Sequence, residues 1–366
     1  MISPQAIEWA DTKRAQNFQH WLHGVQAAHG LELDSLCLAS ADASFRRYFR
    51  IDAGGCNRII MDAPPDKENC EAFDHVARVM AAAGLNVPQV LAWDRAGGFM
   101  LLSDLGTQTM MQAIVTQPNQ DQLSLYLRAV EVLLAWQCAS KPDVLPPYDE
   151  ALLLRELELF PEWYLAQHHR LTIDSTQRGV LDRTFQTIVR ENLARPRVFV
   201  HRDFMPRNLM MPQTRCVAGD SGSQQGAVEQ RLGVLDFQDA VYGPITYDIA
   251  SLMRDAFLSW DEQFVLDVTI RYWEKARAVG LPVGRDFGDF YRGVEWMGLQ
   301  RHLKICGIFA RLTLRDGKPQ YLADTPRFIG YIRATASRYR ELTPLLRLID
   351  KVEGTGDVSG YAFGRI

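Results

Sequence analysis

The sequence predicts an α+β fold in which a small sheet-forming region precedes a larger, mainly helical region. The first hundred residues hold five short apolar or aromatic segments and one helical pattern, whereas the patterns after residue 107 are long and helix-like. With 366 residues, 47% of them hydrophobic and 23% charged, the chain has the composition of a globular protein. Its length predicts two or three folding units, so a disordered chain and a single small binding module are excluded.

The sheet-forming region begins with a helical pattern that contains Phe18 and Trp21. Its five strands are predicted at 35–39, 47–51, 57–61, 87–93 and 99–102. The pair Gly54 and Gly55 indicates a hairpin between the second and third strands. Between the third and fourth strands the spacing predicts a helix over 69–83, which Gly84 ends.

The second region is mainly helical, with short strands around polar loops. Helical patterns cover 107–140, 149–169, 174–193 and 248–348, and short strands are predicted at 197–200, 209–211 and 232–235. A Gly-, Ser- and Gln-rich stretch at 212–231 is typical of an insertion. The predicted division is an N-terminal helical segment at 1–34, a sheet lobe at 35–104, a helical lobe at 105–352 and a tail at 353–366.

Charge and cysteine usage exclude several classes of partner. The chain has 40 Lys and Arg against 44 Asp and Glu, a net charge of −4, which disfavours nucleic acid as a partner. No apolar run approaches the eighteen or so residues of a membrane helix, so we expect a cytoplasmic protein with no membrane partner. The six cysteines are scattered, which indicates neither a disulfide framework nor a structural zinc.

The strongest chemical signal is a loop between two predicted strands with the pattern His201-x-Asp203-x-x-x-x-Asn208, followed 28 residues later by Asp236. Phosphoryl transfer needs a carboxylate that receives the acceptor hydroxyl and oxygen ligands that hold Mg²⁺ against the ATP phosphates. Asp203 would fill the first role, and Asn208 and Asp236 the second. The competing interpretation is that these are ordinary turn and capping residues; the strand context on both sides favours a kinase.

These motifs resemble those of the aminoglycoside phosphotransferase and choline kinase superfamily of small-molecule kinases. Residues 84–91, 99–106 and 243–251 match its patterns as well, so the resemblance covers about 35–256. It implies a protein-kinase-like bilobal fold, with a five-stranded antiparallel sheet plus a helix as the N-lobe and a mainly helical C-lobe. It also implies ATP and Mg²⁺ as cofactors.

A narrower resemblance extends over nearly the whole chain. The segments that carry it are 42–50, 61–65, 201–208, 236–239 and 308–312. They are similar to a bacterial family of anomeric amino-sugar kinases of cell-wall recycling. The resemblance implies a small-molecule amino sugar, N-acetylmuramate or N-acetylglucosamine, phosphorylated by ATP at its C1 hydroxyl.

The expected nucleotide contacts lie in two places. The loop after the first strand offers Ser44, Phe45 and Arg46 to the phosphates, although it contains no glycine. The superfamily hinge corresponds to Ser103, Asp104 and Leu105, whose backbone would hold adenine. The third strand has no lysine where the superfamily usually pairs one with the phosphates, which leaves four possible substitutes: Arg46, Arg47, Arg58 and Lys67.

The remaining candidates support the loop or the acceptor. We expect His201 to be a hydrogen-bonded scaffold residue and Asp248 to bind backbone N–H groups of the catalytic loop. Residues 285–345 hold eleven Lys and Arg against six Asp and Glu, which suits an anionic or neutral sugar. The acceptor candidates are Arg207, Asp239, Glu295, Arg301, His302 and Arg311, with Asp239 open between the metal side and a surface charge.

Two other functions stay open from the sequence. One is a kinase of another small alcohol, such as an aminoglycoside or a choline-like compound, which an acidic acceptor site would favour. The other is a nucleotide-binding regulator with little transfer activity, which the missing lysine suggests. Retention of Asp203 argues against the regulator, because a pure binder needs no proton acceptor. The expected oligomeric state is a monomer.

Overall fold

A computed structural model describes residues 7–9, 11–41, 45–117, 121–212 and 231–354. By its internal contacts the chain divides into two compact units: unit 1 contains Met1–Trp136 and Pro206–Asp239, and unit 2 contains Gln137–Met205 and Ala240–Ile366. These limits differ from the expected lobe boundary at residues 104–105, which stays a prediction. The predicted insertion at 212–231 and the tail at 353–366 lie almost entirely outside the described residues.

Unit 1 is built on a five-stranded antiparallel sheet with the strand order β1-β2-β3-β5-β4. The strands are β1 (Leu31–Ala41), β2 (Arg47–Ala53), β3 (Cys56–Asp62), β4 (Val90–Asp94) and β5 (Phe99–Ser103). The helices that accompany them are α1 (Thr12–His29), α2 (Cys70–Ala82), α3 (Met110–Thr116) and α4 (Gln122–Cys138), whose last two residues belong to unit 2. The predicted set of five strands, with a helix between the third and the fourth, is therefore present.

One face of this sheet carries the core of unit 1. Phe49 and Ile51 of β2 are buried with Phe18 and Leu22 of α1, and alternate residues of β3 and β5 join the same cluster. Because successive side chains of a strand point to opposite faces, the residues between them line the other face. Apolar residues at every second position thus fix which side chains α1 covers.

The segment Pro206–Asp239 returns to unit 1 through short strands. Strand β7 (Leu209–Met210) pairs with β8 (Gly233–Val234), and isolated bridges join Asn86 to Gly233 and Thr109 to Met210. This segment carries Asn208 and Asp236, so both lie in the same unit as the five-stranded sheet.

Unit 2 is mainly helical, as predicted. Its helices are α5 (Glu150–Leu159), the π-helix Phe160–His168, α6 (Ser175–Leu193), α7 (Tyr247–Met253), α8 (Glu262–Ala278), α9 (Phe287–Leu314), α10 (Thr325–Arg338) and α11 (Thr343–Glu353). A two-stranded sheet joins β6 (Arg197–Val200) to β9 (Val241–Pro244). In the described part of the chain, no helix is long and apolar enough to cross a membrane.

Three strand predictions differ clearly from the structure. Strand β1 begins at Leu31 rather than at residue 35, inside the segment 1–34 that was predicted to be helical, and it ends at Ala41 rather than at residue 39. Strand β4 begins at Val90 rather than at residue 87, because Pro88 has no N–H to donate to the ladder. Strand β9 was not predicted; it is only four residues long and ends in Gly243 and Pro244. A Cβ at Gly243 would lie 2.7 Å from the Cβ of Tyr148, so glycine is needed there for packing.

Candidate active site

The loop that carries Asp203 lies in unit 2, directly after β6. The Asp248 carboxylate accepts the N–H of His201 at 2.7 Å and the N–H of Arg202 at 3.0 Å. Arg202 has a φ of 78°, in the left-handed region that non-glycine residues rarely adopt. The Asp203 N–H donates to Nδ1 of His201 at 3.2 Å. The loop backbone on both sides of the Arg202 side chain is therefore fixed by hydrogen bonds.

Asp248 is the buried anchor of this loop. It is fully buried, and burial raises its pKa to about 6, although His201 and the two N–H groups act in the opposite direction. Near neutral pH the group is therefore largely a carboxylate that accepts both N–H groups. These are the backbone contacts that the sequence analysis expected of Asp248, and the buried His201 lies beside them.

The Arg202 side chain is held by a second buried carboxylate. Glu156 on α5 forms an ion pair with Arg202, accepts the Tyr148 hydroxyl, and lies 2.9 Å from Nζ of Lys304 on α9. Burial alone would raise the pKa of Glu156, but Lys304 and Arg202 hold it below its usual value. We call Arg202, Glu156 and Lys304 the loop-side ion cluster. Glu156 and Lys304 were not predicted, since no local sequence pattern indicates that residues 156, 202 and 304 meet in the fold.

Asn208 and Asp236 lie together in unit 1. The Asn208 side-chain amide is 3.4 Å from Oδ2 of Asp236, and Gln238 donates to Oδ1 of the same carboxylate at 2.8 Å. The Leu235 N–H donates to the Asn208 carbonyl at 2.9 Å, and Asp236 has a φ of 62° at the turn after β8. One amide oxygen and one carboxylate side by side are hard oxygen ligands, which fit Mg²⁺ completed by phosphates and water. Among the described residues, no group of three or more His, Cys, Asp or Glu could hold a metal.

Unit 1 contains a pocket of about 350 Å³ next to this pair. Its lining includes Asn208 and Asp236 together with Ser103, Asp104 and Leu105 of the predicted hinge. Apolar walls come from the sheet and from α2, among them Ile59, Leu102 and Phe73. An apolar cleft bounded by the predicted hinge residues at one side and a metal-type pair at another has the chemistry that a nucleoside triphosphate requires.

Arg50 is a pocket residue that the sequence analysis did not name. It donates from Nε to Oδ2 of Asp104 at 2.6 Å, from Nη2 to Oδ1 at 3.2 Å, and from Nη2 to the Gly106 carbonyl at 2.8 Å. The Asp104 side chain is only 4% exposed, so this bidentate ion pair braces the hinge. Its position on β2 between the buried Phe49 and Ile51 was the available signal, because alternation places Arg50 on the opposite face.

The two described residues of the predicted phosphate loop, Phe45 and Arg46, are engaged by Glu68. Arg46 forms a 2.8 Å ion pair with Glu68, and the exposed Phe45 donates its N–H to the same carboxylate at 3.0 Å. Neither residue lines the pocket, and Ser44 lies outside the described residues. The phosphate roles of these three residues stay predictions.

The other three possible substitutes for the missing lysine also lie away from the pocket lining. Arg47 pairs with Asp62, Arg58 donates to the neighbouring Asn57 carbonyl at 3.1 Å, and Lys67 lies 4.5 Å from the centre of the Phe45 ring. The third-strand residue that lines the pocket is Ile59. The basic residues in the lining are Arg50 and Arg207.

The structure separates the acceptor candidates between the two units. Arg207 lines the pocket of unit 1, and Asp239 is exposed at the end of the same segment. Glu295 in unit 2 is buried, and its carboxylate is engaged by Arg338 and by the Tyr339 hydroxyl. That engagement explains the burial of Glu295 without a ligand.

Three basic acceptor candidates lie on α9. Arg301 is 1% exposed, and its Nε and Nη1 have no hydrogen-bond partner among the described residues. His302 donates from Nε2 to the Arg254 carbonyl at 3.3 Å and stacks on Tyr331. Arg311 is half-buried. Among the described residues, Nδ1 of His302 and Nε of Arg311 are also buried without a hydrogen-bond partner, so Arg301 differs by having two such donors on one planar guanidinium. An acceptor role for any of the three stays a prediction.

A family comparison decides the class of this protein. The model of the phosphotransferase enzyme family matches residues 35–283, about two-thirds of the chain. The chain belongs to the phosphotransferase enzyme family. This phosphotransferase is therefore an enzyme, and the predicted superfamily is confirmed.

Curated relatives match this phosphotransferase over most of its length. It is 44% identical over 354 residues to the N-acetylmuramate/N-acetylglucosamine kinase of Neisseria meningitidis serogroup B, which covers 96% of this chain and 100% of that protein. The proteins of the same name from Pseudomonas aeruginosa and Pseudomonas putida are 47% and 46% identical. These matches cover 85% and 87% of this chain and 86% and 88% of the relatives.

Solved structures confirm the fold of this phosphotransferase. An ethanolamine kinase of Plasmodium vivax superposes with a TM-score of 0.61 at 10% identity, covering 94% of this chain and 93% of that one. A choline/ethanolamine kinase family protein of Mesorhizobium loti gives 0.58 at 14% identity, covering 92% and 99%. At such identities the likeness shows the fold alone, and the predicted α+β, protein-kinase-like class is confirmed.

Proposed function

We propose that this phosphotransferase transfers the γ-phosphoryl group of Mg·ATP to the anomeric hydroxyl of N-acetylmuramate and N-acetylglucosamine. The observation that carries the proposal is the near-complete match to relatives named N-acetylmuramate/N-acetylglucosamine kinase, at 44–47% identity. The product would be a sugar 1-phosphate, which can feed peptidoglycan recycling and the synthesis of nucleotide-sugar precursors. Because the reaction consumes ATP, we place it in the cytoplasm, and a monomer stays the expected oligomeric state.

The nucleotide would occupy the pocket of unit 1. The backbone at Ser103, Asp104 and Leu105 would hold adenine, with Arg50 keeping the hinge in place through Asp104. Asn208, through its side-chain amide oxygen, and Asp236 would hold Mg²⁺, since the side chains of the two residues lie next to each other. When bound, the metal neutralises charge that develops on the phosphate oxygens.

Asp203 would orient the acceptor hydroxyl and accept its proton. A hemiacetal hydroxyl is more acidic than an ordinary alcohol and needs only a weak base. The main role of Asp203 would therefore be to position the hydroxyl. Its half-buried position, with its N–H bonded to His201 and its neighbours anchored by Asp248, suits a group that must be held in one orientation. Arg207, Asp239, Glu295, Arg301, His302 and Arg311 stay candidates for the acceptor, with Arg301 suited to a lactyl carboxylate.

A panel of acceptors tests the proposed function. ADP release would be measured from purified protein with Mg·ATP and N-acetylmuramate, N-acetylglucosamine, their 1-O-methyl glycosides, choline or one aminoglycoside. Turnover on the free sugars and none on the methyl glycosides is the expected result. Turnover on choline or the aminoglycoside alone would refute the substrate, and ATP binding without any turnover would favour a regulator.

The variant Asp203→Asn tests the proposed proton acceptor. We expect turnover to fall at least about a hundredfold, since general base catalysis typically contributes that much, while the Kd for Mg·ATP measured by calorimetry stays within about threefold. The nucleotide Kd should be retained because the pocket residues all belong to unit 1. Turnover like that of the wild type would remove Asp203 from the mechanism.

A further inference from the structure

The loop-side ion cluster has an unbalanced charge unless Asp203 is counted. Glu156 contributes one negative charge, and Arg202 and Lys304 contribute two positive charges. Asp203 interacts electrostatically with both Arg202 and Lys304. With Asp203 included the group is neutral, which is the arrangement expected for charges removed from water. The half-buried proton acceptor is thus the fourth member of an electrostatic group whose other carboxylate, Glu156, is buried.

Lys304 is charged in spite of its burial. Burial alone would lower its pKa, but Tyr247 and Glu156 raise the pKa above its ordinary value. Nζ lies 2.9 Å from the Glu156 carboxylate and 3.4 Å from the Tyr247 hydroxyl. Tyr247 is the first residue of α7, directly before Asp248. Lys304 therefore links α9 both to α5 and to the start of the helix that anchors the loop backbone.

Arg202 is fixed both through the loop backbone and through its side chain. Asp248 fixes the N–H groups of His201 and Arg202, and the left-handed conformation of Arg202 must be maintained against its tendency to relax. The ion pair with Glu156 fixes the far end of the Arg202 side chain, and Lys304 in turn fixes Glu156. Two anchors at opposite ends of one residue determine the direction in which the next residue, Asp203, leaves the loop.

We propose that Glu156 and Lys304 are positioning residues for Asp203, acting through Arg202. The proposal rests on the proposed phosphoryl transfer, in which Asp203 meets the acceptor hydroxyl. Neither residue needs to touch a substrate. Their effect is on the orientation of the proton acceptor, so their loss lowers kcat rather than the affinity for ATP.

The test compares two variants of the cluster with a matched control. Lys304→Met removes the ammonium group and retains a long chain, and Glu156→Gln removes the negative charge at constant shape. Tyr164→Phe is the control, because it deletes a side-chain hydrogen bond of unit 2, from Tyr164 to Glu353 at 2.8 Å, between two residues that belong neither to the ion cluster nor to the loop. All are assayed as full chains, with Mg·ATP and N-acetylglucosamine, below their melting temperatures.

We expect both cluster variants to lower kcat about 10- to 100-fold, with the KM for ATP within about threefold of the wild type and kcat of Tyr164→Phe nearly unchanged. Amide hydrogen exchange at His201 and Arg202 should become faster in the cluster variants and not in the control. In an Asp203→Asn background, Lys304→Met should lower the residual kcat by less than about threefold, because the residue it positions is already disabled.

Three outcomes would overturn the proposal: kcat of the cluster variants equal to that of Tyr164→Phe, equal reductions by Lys304→Met in both backgrounds, or unchanged exchange at His201 and Arg202. Should Lys304→Met melt below the assay temperature, Glu156→Gln decides by the same criteria. A wild type that phosphorylates neither amino sugar would refute the proposed function instead, and the exchange measurement would still decide whether Glu156 and Lys304 hold the loop.

Discussion

Gly307 on α9 permits a close approach to α5 that no other residue would allow. A Cβ at this position would lie 2.3 Å from the carbonyl oxygen and 2.4 Å from the carbonyl carbon of Leu159, the last residue of α5. Because the obstacle is backbone rather than the end of a flexible side chain, the variant Gly307→Ala must move α9 away from α5 or distort one of the helices.

The expected cost follows from two opposing effects. Overpacking typically destabilises by about 1–3 kcal/mol, and a backbone obstacle favours the upper end of that range. Alanine is a better helix former than glycine by about 1 kcal/mol, which offsets part of the cost. The net loss is about 2 kcal/mol, which corresponds to a melting temperature lower by about 4–8 °C for a unit of this size. Scanning calorimetry of the full chain measures it.

Gly330 on α10 provides the matched control. No heavy atom lies within 4 Å of a Cβ at this position, so Gly330→Ala gains the helix-forming advantage without a clash. We expect it to raise the melting temperature by about 2–4 °C, for a gain of about 1 kcal/mol. A Gly307→Ala variant that melts at or above the wild-type temperature, alongside a stabilised Gly330→Ala, would refute the close contact of α9 with α5.

Three further predictions concern the pocket and the acid sensitivity of unit 2. Arg50→Met leaves Asp104 buried without its bidentate partner and should raise the KM for ATP about tenfold, whereas Arg78→Met, at an exposed ion pair, should not. Arg207 lines the pocket together with Asn208 and Asp236, and we expect its guanidinium to contact a phosphate of the nucleotide, so Arg207→Met should weaken ATP binding more than adenosine binding, as measured by calorimetry. Burial and the charge of Arg301 lower the pKa of His302 to about 3, so only the unfolded chain binds its proton as the pH falls from about 6.5. Urea unfolding should therefore show the stability of the wild type falling relative to His302→Gln between pH 6.5 and 4; a constant difference would contradict the lowered pKa.

The sheet of unit 1 was predictable because its signal is local. Alternation of Phe49 and Ile51 with polar residues defines β2, and Gly54 with Gly55 defines its hairpin. Strand β9 was not predictable in the same way, since four residues pair with β6 across more than forty intervening positions. Its existence depends on a partner strand and on the close packing of Gly243 with Tyr148, neither of which a short window of sequence contains.

The residues of the candidate site also fall into a group with a local sequence signal, which was predicted, and a group with distant partners, which was not. Asp203, Asn208 and Asp236 were found because phosphoryl transfer imposes residue types at a fixed spacing on one loop and one turn. Arg50 and the ion cluster were missed because their partners are distant in sequence: residue 50 meets 104, and residue 156 meets both 202 and 304. Ion pairing is a tertiary property, and a charged residue in a helical pattern looks the same whether it is solvated or buried.

The contacts between α9 and α5 explain how α9 influences the position of the catalytic loop. Gln300 donates to the Leu153 carbonyl at 2.9 Å, Lys304 pairs with Glu156, and Gly307 meets Leu159, so the pairs advance by three or four residues on both helices in the same direction. The two helices therefore run side by side in parallel along this seam. A buried ion pair inside a seam of this kind contributes little net stability, but a shift of one helix by a turn would leave Glu156 and Lys304 unpaired in the interior. The polar contacts thus fix the register, Gly307 fixes the separation, and together they determine where Glu156 holds Arg202.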